Sequence, residues 1–239
     1  MDNEKNDFIS TVSHELRTPL TSIRGFSQTL LESWDRLDDE NKKKFIKIIE
    51  EQSNRLINLV ENMLSVSKLQ YGSENLILKE VVVKPVIDTV VSLVKSQYPD
   101  KKFEVKISEA TPNILADRDK FHQIMTNLIE NAAKYSDANS TIVIECSCCN
   151  NEFACFKVIN TGIEIKEEDY EKIFTKFSRI DNPLTRKVQG SGLGLFITKN
   201  LVDKMSGKIS VSSANHLTTF EVVLPLANIE KQARAKCNQ

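Results

Sequence analysis

The sequence has no long apolar run: nothing in it approaches the roughly 18 residues that a helix needs to cross a bilayer. No membrane contact is therefore expected within the chain. It also lacks an excess of charge. With 32 Lys and Arg against 33 Asp and Glu the formal net charge is -1, which removes any general attraction to nucleic acid or anionic lipid. The opening residues MDNEKNDF are polar and acidic, without the basic flank and apolar centre of a secretory signal. A C-x-x-C pair is missing as well. Cys146, Cys148, Cys149 and Cys155 crowd one stretch with no histidine beside them, and Cys237 stands alone. That spacing disfavours a metal site, and the expectation is free thiols packed as small hydrophobes. Internal repeats and low-complexity tracts are absent. What remains is an ordinary soluble composition, 40% hydrophobic and 27% charged, in 239 residues that suit two modest domains.

The first third is almost free of helix breakers. At about 100° per residue, Phe8, Val12, Leu16, Leu20, Ile23, Phe26 and Leu30 share one face of a helix over 4–33. A second helix, 38–70, opens on an Asp38-Asp39-Glu40 cap and carries Phe45, Ile48, Ile49, Leu56, Leu59, Met63 and Val66 on one side. The link 34–37 is short enough to force an antiparallel hairpin. Two apolar stripes on helices about 45–50 Å long are not covered by each other alone. A second copy would cover them in a four-helix bundle, so the pattern itself predicts a homodimer.

After Tyr71-Gly72-Ser73 the texture alternates. Strands are expected at 76–83, 103–107, 114–116, 141–148, 153–159, 208–213 and 218–224, with helices at 86–97, 119–135, 167–173 and 193–205. Asn150-Asn151 reads as a hairpin turn. The fold class is α+β: the helical hairpin, then an α/β sandwich with a mixed sheet and helices on one face. Expected boundaries are 1–70 for the hairpin domain, 71–79 for a linker, 80–228 for the sandwich and 229–239 for a polar tail.

Three local patterns carry chemistry. His14 lies opposite the centre of the first apolar stripe, with Thr18 about 40° and Glu15 about 100° away. An acidic neighbour can hold one imidazole nitrogen protonated and take that proton as the other attacks, although position alone would equally describe a plain surface histidine. Pro19 removes a backbone hydrogen bond just after it. In the helix 119–135, Lys120, Gln123, Asn127, Asn131 and Lys134 share one face, opposite Phe121, Ile124, Met125, Leu128, Ile129 and Ala132. Such a face offers amide oxygens and a cation to a metal–phosphate group, or is simply solvated. Gly190, Gly192 and Gly194 precede a helix, where backbone N–H groups can approach phosphate, though a lone GxGxG is weak.

These patterns, in this order, resemble the sensor histidine kinases. SHELRTPLTSI resembles their H-box, which implies His14 as the nucleophile toward the γ-phosphate of ATP, Glu15 assisting it, and Thr18 placing water for phosphatase action. NLIENAAKYSD resembles the N-box and implies Mg²⁺ coordination by Asn131 with Asn127 in support, and nucleotide contacts from Lys134 and Tyr135. QGSGLGLFITKN resembles the G2-box, implying phosphate contacts from Gly190, Ser191, Gly192, Leu193 and Gly194. IFTKFSRID resembles the F-box, with Phe174 and Phe177 beneath an ATP lid and Arg179 reaching the γ-phosphate.

Two places depart from the family pattern. Where D-x-G-x-G is common, this chain has Asn160-Thr161-Gly162-Ile163-Glu164: Asn160 keeps an acceptor for the adenine amino group, Gly162 keeps the first glycine, and Glu164 replaces the second. Before the final strand, Asn215 and Leu217 stand where glycines would be. The expectation is ATP binding of reduced affinity.

The resemblance implies a dimeric bundle followed by a GHKL-type ATPase domain, using ATP and Mg²⁺, phosphorylating His14 and passing the phosphoryl group to an aspartate of a response-regulator receiver domain. It implies a cytoplasmic protein, or the cytoplasmic part excised from a membrane-bound sensor. A degenerate kinase serving as phosphatase or scaffold is the alternative. A different ATPase of the same sandwich fold leaves the H-box unexplained, and a plain helical binding module leaves the N-box and G2-box unexplained.

Overall fold

The computed structural model describes residues 2–70, 72, 75–108, 113–178 and 191–227, with residues 2–9 given by their backbone path alone. The chain divides into two compact units, Met1–Gln70 and Tyr71–Gln239.

In the first unit, helix α1 (Asp2–Ser33) and helix α2 (Asp39–Gln70) are joined through a 3₁₀ turn, Trp34–Arg36. Asp38 caps α2 by accepting from the Asn41 amide at 2.7 Å, a bond that lowers its carboxyl pKa. The antiparallel register sets Phe26 against Phe45, ring centroids 5.2 Å apart, and buries Leu30 and Leu59. The expected stripe is corrected at one position: Leu20 is 51% exposed, and Pro19 is the buried neighbour. Leu31, Ile46, Ile57, Val60 and Leu64 are also exposed. The side chain of Phe8 lies outside the described residues.

The second unit contains strand β1 (Lys79–Val81), helix α3 (Val83–Gln97), strand β2 (Lys102–Ile107), strand β3 (Ile114–Ala116), helix α4 (Arg118–Tyr135), strand β4 (Thr141–Cys148), strand β5 (Phe153–Thr161), helix α5 (Gly194–Lys204), strand β6 (Lys208–Ala214) and strand β7 (Leu217–Pro225). The main sheet runs β2-β4-β5-β7-β6. β2 pairs parallel with β4 and the other pairs are antiparallel, so the sheet is mixed. Burial alternates along β4, β5 and β7, as one covered face requires. Ile142, Ile144, Phe156, Val158 and Val222 are buried on that face, as are Ile87 and Val90 of α3, Phe121, Ile124 and Leu128 of α4, and Leu201 of α5. Phe121 and Phe156 meet across the layers with centroids 5.1 Å apart. Among the described residues no helix is long and apolar enough to cross a membrane.

Three expectations need correction. The strand at 76–83 shrinks to Lys79–Val81, which pairs with β3. Before it, Ile77 turns its amide to the Asp117 carboxylate at 3.0 Å, and α3 already starts at Val83. The helix at 167–173 is instead two 3₁₀ turns, Glu167–Asp169 and Lys172–Phe174. Glu167, Glu168, Asp169 and Glu171 would repel along a helix, and the Tyr170 hydroxyl between them is tied to Ser213, accepting from its N–H at 2.6 Å. The cysteines are not all free. Cys149 and Cys155 form a disulfide, while Cys146 is a buried thiol and Cys148 an exposed one. The hairpin turn after β4 brings the first two together: Asn150 Oδ1 accepts from the amides of Glu152 and Phe153 at 2.8 and 2.9 Å. Cys237 and the tail 229–239 lie outside the described residues.

Candidate functional site

His14 sits on α1 with its side chain exposed. Thr18, one turn on, directs its hydroxyl to the His14 carbonyl at 3.3 Å. Glu15 is half-buried and pairs with Arg55 of α2 at 3.3 Å. The register that sets Phe26 beside Phe45 also sets Glu15 beside Arg55. Helical spacing on α1 alone could not reveal that partner, but the hairpin register could have.

In the second unit a cavity of about 90 Å³ is lined by Asn131 and Tyr135 of α4, Asn160 of β5, Ile163 and Ile165 of the following loop, Ile173, Ser178, Leu195 of α5, and Thr218 and Phe220 of β7. This is smaller than the roughly 300–1,000 Å³ usual for small-molecule sites; residues 179–190, next in the chain after Ser178, lie outside the described residues. Arg179 and Gly190 are among them. Asn131, Tyr135 and Asn160 are thus brought together as expected contacts. The cavity also uses Ile163, Ile165, Leu195 and Thr218, which the sequence did not single out; Ile163 and Ile165 flank Glu164 and were the available signal.

The α4 face divides as its spacing predicts, with Phe121, Ile124, Met125, Leu128, Ile129 and Ala132 buried and Lys120, Gln123, Asn127, Asn131 and Lys134 half-buried. Asn127 donates its amide N–H to Thr198 of α5 at 2.6 Å. A Cβ on Gly194 would collide with the Asn127 side chain, so this glycine lets α5 approach α4. Gly192 has a φ of 67°, and a Cβ there would meet the Phe177 backbone at 2.7 Å. Ser191 accepts from the Leu193 amide at 3.3 Å, and the Leu193 side chain is fully buried. Lys134 pairs with Glu130 at 3.9 Å.

Phe174 is buried edge-on to Phe220, centroids 6.5 Å apart. Phe177 adopts a φ of 57°, which fits the close passage of Gly192. Gly162 leans on α4's end: a Cβ there would strike the Tyr135 carbonyl oxygen, and Gly162 bridges Ser136.

The comparisons agree across both units. Residues 4–72 match the family described as His Kinase A (phospho-acceptor) domain, and residues 116–228 match Histidine kinase-, DNA gyrase B-, and HSP90-like ATPase. The signal transduction histidine-protein kinase ArlS of Staphylococcus haemolyticus is 32% identical over 222 residues, 92% of this chain and 49% of that protein. The crystal structure of histidine kinase ThkA in complex with response regulator protein TrrA superposes with a TM-score of 0.72 at 28% identity, covering 92% of this chain and 61% of that one. Full-length ShkA in complex with AMPPNP gives 0.66 at 26%, covering 92% and 45%.

A phospho-acceptor hairpin followed by a GHKL-type ATPase sandwich is the class these features define. The chain belongs to the sensor histidine kinases. It spans about half the length of the curated relatives it matches.

Proposed function

We propose that this chain catalyses ATP-dependent phosphorylation of His14 and then hands the phosphoryl group to an aspartate of a response-regulator receiver domain. One imidazole nitrogen of His14 attacks the γ-phosphorus, the bond to the β–γ bridging oxygen breaks, and ADP leaves. The proton on the other ring nitrogen passes to a carboxylate, for which Glu15 is the candidate. Arg55 holds that carboxylate in place at 3.3 Å. The observation that carries the reading is the presence, in one chain, of an exposed histidine flanked by this ion pair and a cavity edged by Asn131, Tyr135 and Asn160.

Asn160 supplies the acceptor for the adenine amino group, Phe220 walls the base, and the buried Phe174 backs Phe220 edge-on from beneath. Lys134, Phe177, Gly190, Ser191, Gly192, Leu193 and Gly194 complete the nucleotide contacts, with Arg179 toward the γ-phosphate. Mg²⁺ commonly takes one or two protein oxygens besides phosphates and water, and half-buried Asn131, supported by Asn127, fits that modest donor set. When bound it would neutralise charge on the transferred group. The ThkA structure holds a response regulator and the ShkA structure AMPPNP, which supports both ligand classes here.

The row of exposed Leu20, Ile57, Val60 and Leu64 on the hairpin supports a homodimer with a four-helix bundle. Receiver docking near His14, phosphatase action through Thr18, and a cytoplasmic setting as part of a longer sensor complete the reading. The altered loop at Glu164 favours one alternative, a degenerate kinase acting as phosphatase or scaffold. Incubation with γ-labelled Mg-ATP separates them. Acid-labile, base-stable label that is absent from His14→Gln is expected; ATP binding without label on the native chain would favour the alternative.

A further inference from the structure

The two departures from the family pattern touch each other. Glu164, in place of the second loop glycine, accepts a hydrogen bond from the His216 backbone N–H at 2.6 Å. His216 lies in the turn between β6 and β7, in the segment that lacks the usual glycines. Asn215 and His216 have φ of 53° and 63°, left-handed values that asparagine tolerates better than most residues. The contact is reciprocal: the Gly162 amide donates to the His216 carbonyl at 2.9 Å, and His216 Nδ1 lies 3.3 Å from the Gly162 carbonyl oxygen.

The rest of the loop is gripped by the same hairpin. The Ile165 amide donates to Ser213 Oγ at 3.0 Å, Thr218 Oγ1 donates to the Ile163 carbonyl at 3.3 Å, and Ser213 and Thr218 hydroxyls lie 2.8 Å apart. On its other side the Ile163 amide reaches the Tyr135 carbonyl at 3.4 Å. Asn160, Ile163, Ile165 and Thr218 all line the cavity. A clasp at Glu164 therefore acts on the cavity wall without entering the cavity.

The geometry points to Glu164 and His216 as positioning residues for the adenine nucleotide, an inference that rests on the nucleotide-site reading above. A glycine at 164 has no side chain with which to hold the hairpin. The carboxylate fixes the loop to it before ligand arrives, so that less ordering entropy is lost on binding. A charge-assisted bond of this kind, exposed to solvent, is worth roughly a five- to tenfold change in affinity. The expected loss of affinity from the missing glycine is offset by this pre-ordering.

The test uses the whole chain. ATP affinity and the ATP dependence of autophosphorylation are measured for the native protein, Glu164→Ala and Glu164→Gln, together with exchange of the His216 amide without nucleotide. Glu164→Ala is expected to speed His216 exchange and raise Kd and KM for ATP roughly fivefold while kcat at saturating ATP stays the same; Glu164→Gln, which keeps an acceptor, is expected to stay within about twofold of native on every readout. Faster exchange with unchanged ATP affinity overturns the positioning role, as does equal loss in the alanine and glutamine variants. If the native chain binds no nucleotide, the nucleotide-site reading fails and this inference falls with it, an outcome plainly different from a native-like Glu164→Ala.

Discussion

Gly162→Ala isolates the demand that the structure places on the loop beside the cavity. The added Cβ would collide with the Tyr135 carbonyl oxygen and lie 2.9 Å from Ser136 Cα. Both are backbone atoms, so no rotamer change relieves the contact. Overpacking of this kind costs about 1–3 kcal/mol. Moving the loop away would also strain the Gly162 bond to His216 at 2.9 Å or the Ile163 bond to Tyr135 at 3.4 Å, about 1 kcal/mol more. The expected loss is about 2–4 kcal/mol in the stability of the sandwich. Native-state amide exchange at Phe156 and Val158, buried in the middle of β5, reads that stability directly. Protection there should fall roughly 30- to 700-fold. Protection unchanged within about threefold would mean that the loop yields freely and that the glycine is not required by close approach.

Three further outcomes follow from the same structure. Arg55→Ala removes the half-buried partner of Glu15 and should lower hairpin stability by about 0.5–1 kcal/mol; helical circular dichroism during urea unfolding reads this, and a loss that does not shrink at high salt would count against an ion pair. Burial pushes the Cys146 thiol from 9.0 up to about 12, and burial with nearby Glu130 pushes the Tyr98 hydroxyl from 10.0 to about 12. Both pKa values are raised on folding, so their contribution is full below pH 9 and is lost as pH rises toward 12. The urea midpoint should fall across that window, and a Cys146→Val variant should fall less. Leu64→Glu places a charge on the exposed apolar row of α2; light scattering should give about twice 27.1 kDa for the native chain and the monomer mass for the variant, and a dimeric variant would move the interface elsewhere.

The elements with strong periodicity were legible from the residues alone. Both hairpin helices, β3, β4 and α4 fall within a few residues of their expected bounds because apolar spacing decides them. The acidic segment 167–173 forms no α-helix because its like charges and the Tyr170–Ser213 tie favour tighter turns. The short β1 misled because the apolar runs of 76–83 on either side of Lys79-Glu80 say nothing about which strand is its partner. Of the residues lining the cavity, Asn131, Tyr135 and Asn160 stood in motifs that the sequence singled out. The Glu164–His216 clasp and the Cys149–Cys155 pair were not, since each joins residues whose proximity depends on strand register. Glycines 162, 192 and 194 were expected to serve ligand approach, yet each is also required by a neighbouring backbone or side chain.

The most direct measurement of the central claim is to incubate the native chain with Mg-ATP, digest it at neutral pH and locate any added HPO₃ unit by fragmentation mass spectrometry. A single modified residue, His14, is expected, formed only with ATP and losing its phosphoryl group on brief acid treatment. A phosphoryl group found on another residue, or none on a chain shown to bind ATP, would contradict it.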